Sequence, residues 1–368
     1  MIDIFKDKPV FLGLMSGTSL DGIDAVAVNF SAKKPQLLGH GFLPYPEEVR
    51  RDLLALCEAG DNEIERAGDM SVTLANLYAK ATLDLLDAND ISRDIVYAVG
   101  VHGQTIRHRP KKGWSLQLNA PALVAELTGL DVVADFRARD LAAGGEGAPL
   151  VPAFHAAIFS SSVQRALVNI GGIANVTRLP AAGHRFLPIT GFDCGPGNTL
   201  LDAWCAKCNG TPYDDKGKWA ATGAVSEALL EKLLSHPYFS RPAPKSTGRE
   251  EFNLPWLESL LAGEAPADVE RTLVSLTAKT IARSCAGMKE VYLCGGGTKN
   301  ALLFSEIAKE MGSTVHVAST AELGVDPMHV EAMAFAWLAR RFFLRRTGNL
   351  CEATHAAGRR ILGALYPH

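Results

Sequence analysis

The densest group of hydrogen-bond donors in the sequence falls in one short turn: Gly17, Thr18, Ser19, Leu20, Asp21 and Gly22, followed by Ile23 and Asp24. Glycines let successive backbone N–H groups converge on one anion, and the Thr18 and Ser19 hydroxyls add donors, so the turn suits a polyphosphate. Asp21 and Asp24 fit once Mg²⁺ accompanies the phosphates, because that ion is held by one or two carboxylates, often through water. Gly, Ser and Asp are also the ordinary residues of a polar β-turn, and the turn alone leaves both readings open.

A second constellation runs from Gly191 to Asn198 and contains Asp193, Cys194, Gly195, Pro196 and Gly197. Here an acid leaves an apolar strand (Leu187, Ile189, Phe192) for a Gly-Pro-Gly turn and then a helix starting near Thr199. A carboxylate so placed near phosphate orients and deprotonates a nucleophile. The alternative is a turn or N-cap residue, but ordering so many glycines is costly in chain entropy, which favours catalysis. Gly171 and Gly172 form a tight turn between two strands, and Gly295, Gly296 and Gly297 separate a strand from a helix opening after Asn300. Such glycines let backbone lie flat against a planar or phosphorylated ligand at a helix N-terminus. Neither the Gly-Lys-Ser/Thr phosphate loop nor the dinucleotide fingerprint is present.

His102, Gln104 and Thr105 follow a strand, where α/β folds place ligands, although a histidine there also suits a structural role. Arg137 suits an anionic substrate, or a salt bridge with Asp135 or Asp140. Glu331, in the first turns of a long C-terminal helix, suits sugar hydroxyls or simply the helix dipole. Cys205 and Cys208 have metal-like spacing but no second pair, so no metal site is assigned. With an odd number of cysteines, 7 in all, a disulfide framework is not expected.

These residues need elements to hold them. At 368 residues the chain is long for one core, and two lobes are expected, residues 1–135 and 136–368. A 47% hydrophobic, 21% charged composition is that of an ordinary globular protein, and a net charge of −3 gives no reason to expect a nucleic-acid or anionic-membrane partner. The opening residues 1–8 lack the apolar core of a signal peptide and no run approaches a membrane span, so a cytoplasmic location is expected. Strands are expected at 10–15, 23–28, 36–42 and 95–101, with helices at 53–57 and 63–89 between the last two. A helix over 119–129 then feeds a strand at 131–137. The Gly-rich stretch 139–150 reads as a loop between lobes, where a hinge would sit. Strand, glycine turn and strand recur at 165–177, half a chain after their first occurrence, which suggests two related lobes facing one nucleotide. Residues 242–249 read as an exposed loop.

Together these strings resemble the anhydro-N-acetylmuramic acid kinases over nearly the whole chain: Gly13 to Asp24, His102 to Thr105, Ala134 to Arg137, Asn169 to Asn175, Gly191 to Asn198, Gly295 to Asn300, and Glu331 to Ala336. The resemblance implies an α/β, two-lobed actin-like ATPase (ribonuclease H-like) fold with a central nucleotide cleft, a homodimer, and a role in bacterial cell-wall recycling. It further implies that ATP with Mg²⁺ phosphorylates O6 of 1,6-anhydro-N-acetylmuramic acid while water opens the anhydro bridge. Asp193 matches the general base, Gly17 to Asp24 the ATP segment, and Gly295 to Gly297 the adenosine side. Arg137 and Glu331 match the sugar site, and Arg137 suits the lactyl carboxylate. Cys194 stands where a threonine is expected, a weak donor in place of a hydroxyl beside the phosphates. The runner-up is a kinase for another sugar or hydroxylated acid. A chaperone would need a separate peptide-binding domain, and a non-catalytic binding protein would be expected to lack Asp193 or the first turn.

Overall fold

A computed structural model describes residues 5–32, 34–184 and 187–368; residues 1–4, and with them half of the N-terminal segment read above, lie outside the described residues. Two compact units emerge, one made of residues 1–158 and 329–368 and the other of 159–328. This differs from the division expected at residue 135. Helix Val151–Phe159 follows the Gly-rich loop, so that loop lies within the first unit, and the C-terminal helix returns to that unit.

The strands of the first unit are β1 (Val10–Met15), β2 (Gly22–Asn29), β3 (Gln36–Pro44), β4 (Val96–Val101), β5 (Gln104–Arg109), β6 (Trp114–Leu118) and β7 (Val132–Ala134). Those of the second are β8 (Arg165–Ile170), β9 (Ile173–Leu179), β10 (Thr190–Pro196), β11 (Glu290–Cys294) and β12 (His316–Ser319). A last strand, β13 (Ala364–Tyr366), rejoins the first unit. The first sheet has the order β13-β7-β4-β1-β2-β3 and the second β10-β9-β8-β11-β12. In each, a first strand pairs antiparallel with a second and parallel with a fourth. The repeat seen in the sequence is therefore a repeat of topology.

β1 is buried on both faces, and its alternation assigns each face a partner. Val10, Leu12 and Leu14 join Leu74, Tyr78 and Leu85 of helix Glu63–Ala88 in one core. Phe11 points the other way and packs against Phe5, Tyr97 and Phe343. Helix Val330–Phe343 sits on that second face because Gly13 and Gly100 leave room for it. A Cβ on Gly13 would lie 2.0 Å from the Ala332 carbonyl oxygen, and one on Gly100 2.3 Å from that of Phe335. In the second unit, helix Pro266–Ser284 buries Val269, Leu273, Leu276 and Ile281 against β8, β9 and β10. No helix among the described residues is long and apolar enough to cross a membrane.

Candidate active site

In the first unit the turn between β1 and β2 is anchored from below. The Ser16 hydroxyl meets the Tyr78 hydroxyl at 2.5 Å, and Gln104 Nε2 donates to the Gly17 carbonyl at 3.0 Å. Gln104 thus braces the turn rather than facing a ligand. Thr18, Ser19 and Asp21 are exposed, with Ser19 Oγ donating to Asp21 Oδ1 at 2.5 Å. Leu20 and Ile23 send their side chains into the core, so only their backbone could meet a ligand. Leu20 has φ 59°, a left-handed value that turns the chain sharply there.

His102, Arg137 and Glu331 also come together in this unit. Arg137 Nη2 and Nε lie 2.8 and 3.3 Å from His102 Nε2, and Arg137 Nη1 donates to the Gly147 carbonyl at 2.7 Å. A guanidinium has no acceptor, so His102 Nε2 must be unprotonated and Nδ1 carries the hydrogen, facing the Ser16 carbonyl at 3.3 Å. Burial and the Arg137 charge hold His102 well below the usual imidazole range, which agrees with a neutral ring. His102 is a buried strut behind Arg137. Burial lowers Arg137 to about 10, opposed by the nearby charges of Glu331 and Asp140, and it stays cationic at neutral pH.

Asp135, with φ 57°, makes the sharp turn that leads into Arg137, a conformation Asp tolerates better than most residues. Asp140 is spent elsewhere: its carboxylate accepts from Gly147 N at 2.8 Å, Asn349 Nδ2 at 2.6 Å and Thr354 Oγ1 at 2.7 Å. The Gly-rich loop, expected as a hinge, is thereby tied down by both Asp140 and Arg137. Arg137→Lys keeps the charge but loses the fork that spans His102 and Gly147. If Arg137 takes the anionic sugar that the family resemblance implies, Arg137→Lys raises KM for that sugar roughly tenfold or more with KM for ATP little changed; equal shifts in both show that it does not.

In the second unit the Gly171–Gly172 turn is clipped to the next helix. Gly197 N and Thr199 N donate to the Gly172 carbonyl at 2.9 and 3.0 Å, and Asn198 N donates to Gly171 at 2.9 Å. Gly295 (φ 82°) and Gly297 press on the end of β8, where a Cβ on either would come within 2.2 Å of Asn169 or Ile170. Glycine turn, helix start and glycine loop therefore meet at one end of this sheet, and Gly296 leaves its backbone open. Asn300 Oδ1 accepts from Leu303 N at 3.0 Å and so caps helix Ala301–Met311.

Asp193 lies within β10 rather than past its end, because the strand continues through Gly195 to Pro196 with a shift in register between Asp193 and Gly195. That shift lets Asp193 turn out while Cys194 turns into the core, where burial pushes its thiol up to about 12. Cys194 thus packs within the core of the second unit. Asp193 is held by residues 245–247, part of the stretch expected as an exposed loop. Its N–H donates to the Lys245 carbonyl at 2.9 Å, its Oδ2 accepts from Thr247 N at 3.0 Å, and the Tyr238 hydroxyl donates to its carbonyl at 2.6 Å. Arg249 of the same loop lies beside Gly172, its Nη2 3.6 Å from where a Cβ would be.

Burial raises Asp193 to about 6; the Thr247 N–H pulls it down and Glu250 pushes it further up. A base of that kind predicts a pH–rate profile for kcat/KM with an acid limb whose midpoint lies near 6, falling about tenfold per unit below it. An acid limb near 4 would show that Asp193 is not the titrating group. Because the folded value exceeds the ordinary 3.8, the native state holds the proton more tightly. Asp193 therefore withdraws stability as pH rises through that interval.

Two units that repeat one strand order, each with a glycine turn after its first strand, define a class: the two-unit, ribonuclease H-like α/β proteins that include actin and the hexokinases. Within it the chain belongs to the family described as Anhydro-N-acetylmuramic acid kinase, which it matches over residues 9–368. It is an ATP-using kinase of that family. The enzyme of this name from Burkholderia cenocepacia is 51% identical over 370 residues, covering 97% of this chain and 96% of that one. The one from Burkholderia pseudomallei is 50% identical over 377 residues, covering 97% of each. Among solved structures, an activator of 2-hydroxyisocaproyl-CoA dehydratase from Clostridium difficile overlaps with a TM-score of 0.45 at 13% identity, covering 90% of this chain and 97% of that one. A ROK family glucokinase from Streptomyces griseus overlaps at 0.42 and 14%, covering 90% and 99%. The class rests on the strand order, not on these overlaps.

Proposed function

We propose that this kinase opens the 1,6-anhydro bridge of anhydro-N-acetylmuramic acid with water and passes the γ-phosphoryl group of ATP to O6, giving N-acetylmuramic acid 6-phosphate and ADP. The observation that carries the reading is the Asp193 carboxylate, raised to about 6 and oriented by the Thr247 N–H in a strand that runs down to the Gly171–Gly172 turn. Asp193 takes a proton from water, the hydroxide so formed bonds to C1, and the C1–O6 bond breaks. O6 leaves with the electron pair and is captured by phosphorus, so neither a free alkoxide nor a free oxocarbenium ion need accumulate. The proton on Asp193 returns to solvent after release.

In the first unit the backbone N–H groups of Gly17 to Ser19 suit the phosphates of ATP; the glycine turns of the second unit, taken by themselves, have the same chemistry. Arg137, preset by His102 and Gly147, takes the lactyl carboxylate, and Glu331 takes sugar hydroxyls. Among the described residues no group of three metal-binding side chains forms a cage. Exposed Asp21 and half-buried Asp24 instead fit an ion that arrives on ATP with most of its water. Mg²⁺ would neutralise phosphate charge there. A cytoplasmic homodimer serving cell-wall recycling completes the proposal and follows from the family alone.

The test is turnover in ¹⁸O-labelled water with ADP release followed in parallel. Label at C1 of the product and none in its phosphate is the expected result. Label in phosphate would reject attack at carbon, and faster turnover of glucose or glycerol than of the anhydro-sugar would favour a kinase for another hydroxylated substrate.

A further inference from the structure

The first unit contains a cavity of about 480 Å³ lined by Arg139, Arg345, Arg359 and Arg360, with Phe342 and Thr347 among its other walls. We propose that it is a binding site for a small polyanion, a molecule carrying two or more phosphate or carboxylate groups. Nothing in the phosphoryl transfer described above uses these residues, so the site stands or falls apart from that reading.

Three observations carry the inference. The first is unbalanced charge. Among the described residues, the carboxylate within ion-pair distance of these four guanidinium groups is Glu352, 3.7 Å from Arg359, and both side chains of that pair are largely exposed. Asp140, next to Arg139, cannot serve the cavity, because Gly147, Asn349 and Thr354 already occupy its oxygens. The crowding reaches Arg341, which turns Nε and Nη2 onto the Thr347 carbonyl. Its pKa is lowered first by burial and then by Arg346, Arg340 and Arg359. In a chain of net charge −3 this concentration of one sign is local.

The second is construction. Asp140 fixes Asn349, and Asn349 Oδ1 accepts from Arg360 N at 2.6 Å, while Gly348 N donates to the Arg360 carbonyl at 2.8 Å. The backbone carrying Arg360 is therefore set by a buried network that begins one residue from Arg139. The third is a fixed turn: Arg345, with φ 53°, is the left-handed residue that ends helix Val330–Phe343, its N–H donating to the Phe342 carbonyl at 3.0 Å while Arg346 N donates to the Arg341 carbonyl at 2.9 Å. The helix end thus holds this wall of the cavity in place.

Forked guanidinium groups around a concave space match phosphate or carboxylate oxygens two at a time. A volume of this size accepts a metabolite, whereas a nucleic-acid backbone or a membrane asks for an extended basic surface.

The test is calorimetric titration of the full chain with inorganic pyrophosphate while saturating ADP fills the nucleotide site. Binding should persist with ADP present and weaken about tenfold or more in the Arg345→Ala/Arg359→Ala double variant, with ADP affinity unchanged. Should that variant fail to fold, Arg345→Lys/Arg359→Lys keeps the charge and loses the forks, and a smaller but measurable weakening is expected. Pyrophosphate binding that ADP abolishes, or that either double variant leaves intact, overturns the proposal. So does an oligonucleotide or an anionic vesicle that binds while pyrophosphate fails to displace it.

Discussion

Asp193→Asn is expected to lower kcat by roughly 10³- to 10⁴-fold while ATP affinity stays within about twofold of the parent. The amide is nearly isosteric and its oxygen still accepts the Thr247 N–H, so the loop 245–249 keeps its place. What disappears is the capacity to take a proton from water. ADP release in a coupled assay, with nucleotide binding measured separately, divides the two effects. Turnover close to the parent's would remove Asp193 from the role, and a parallel loss of ATP binding would make it a structural residue of the second unit.

The next largest effect is expected from Gly13→Ala, which touches no ligand. The new methyl would stand 2.0 Å from the Ala332 carbonyl oxygen and 2.7 Å from Ala336 N, both backbone atoms of helix Val330–Phe343. No rotamer relieves a clash between Cβ and backbone, so the helix must lift from β1 and take Glu331 and Phe335 with it. A loss of roughly 4 kcal/mol or more is a large share of a domain's stability. Gly41→Ala in β3 is the control, because nothing lies within 4 Å of its Cβ position. Chemical denaturation of the two variants should separate them clearly; similar midpoints would mean that the helix yields easily.

The central strands were legible because β1, β2, β4, β8 and β11 are short apolar runs ended by Gly or polar turns, and the glycine turns after β1 and β8 stand out by composition. The long helices announced themselves by period. Harder to read were partnerships across sequence distance. Nothing in Lys245 or Thr247 says that they hold Asp193, since each acts through its backbone. The strand end left His102 open between a ligand and a structural role, and its hydrogen bond with Arg137, 35 residues on, is not written in either residue. The return of the C-terminal helix to β1 and β4, through Gly13 and Gly100, was not legible, because that contact joins the far end of the chain to strands near its start. Which way Cys194 faces was not legible either, because one residue along a strand reverses the face.

The line from the Ser16 carbonyl through the His102 ring to Arg137 puts the base of the first turn and a buried cation in one hydrogen-bonded row. If nucleotide and sugar bind as proposed, at the turn and at Arg137, a shift of Ser16 caused by one is met by the other, and whatever factor one applies to the other's dissociation constant is returned in kind.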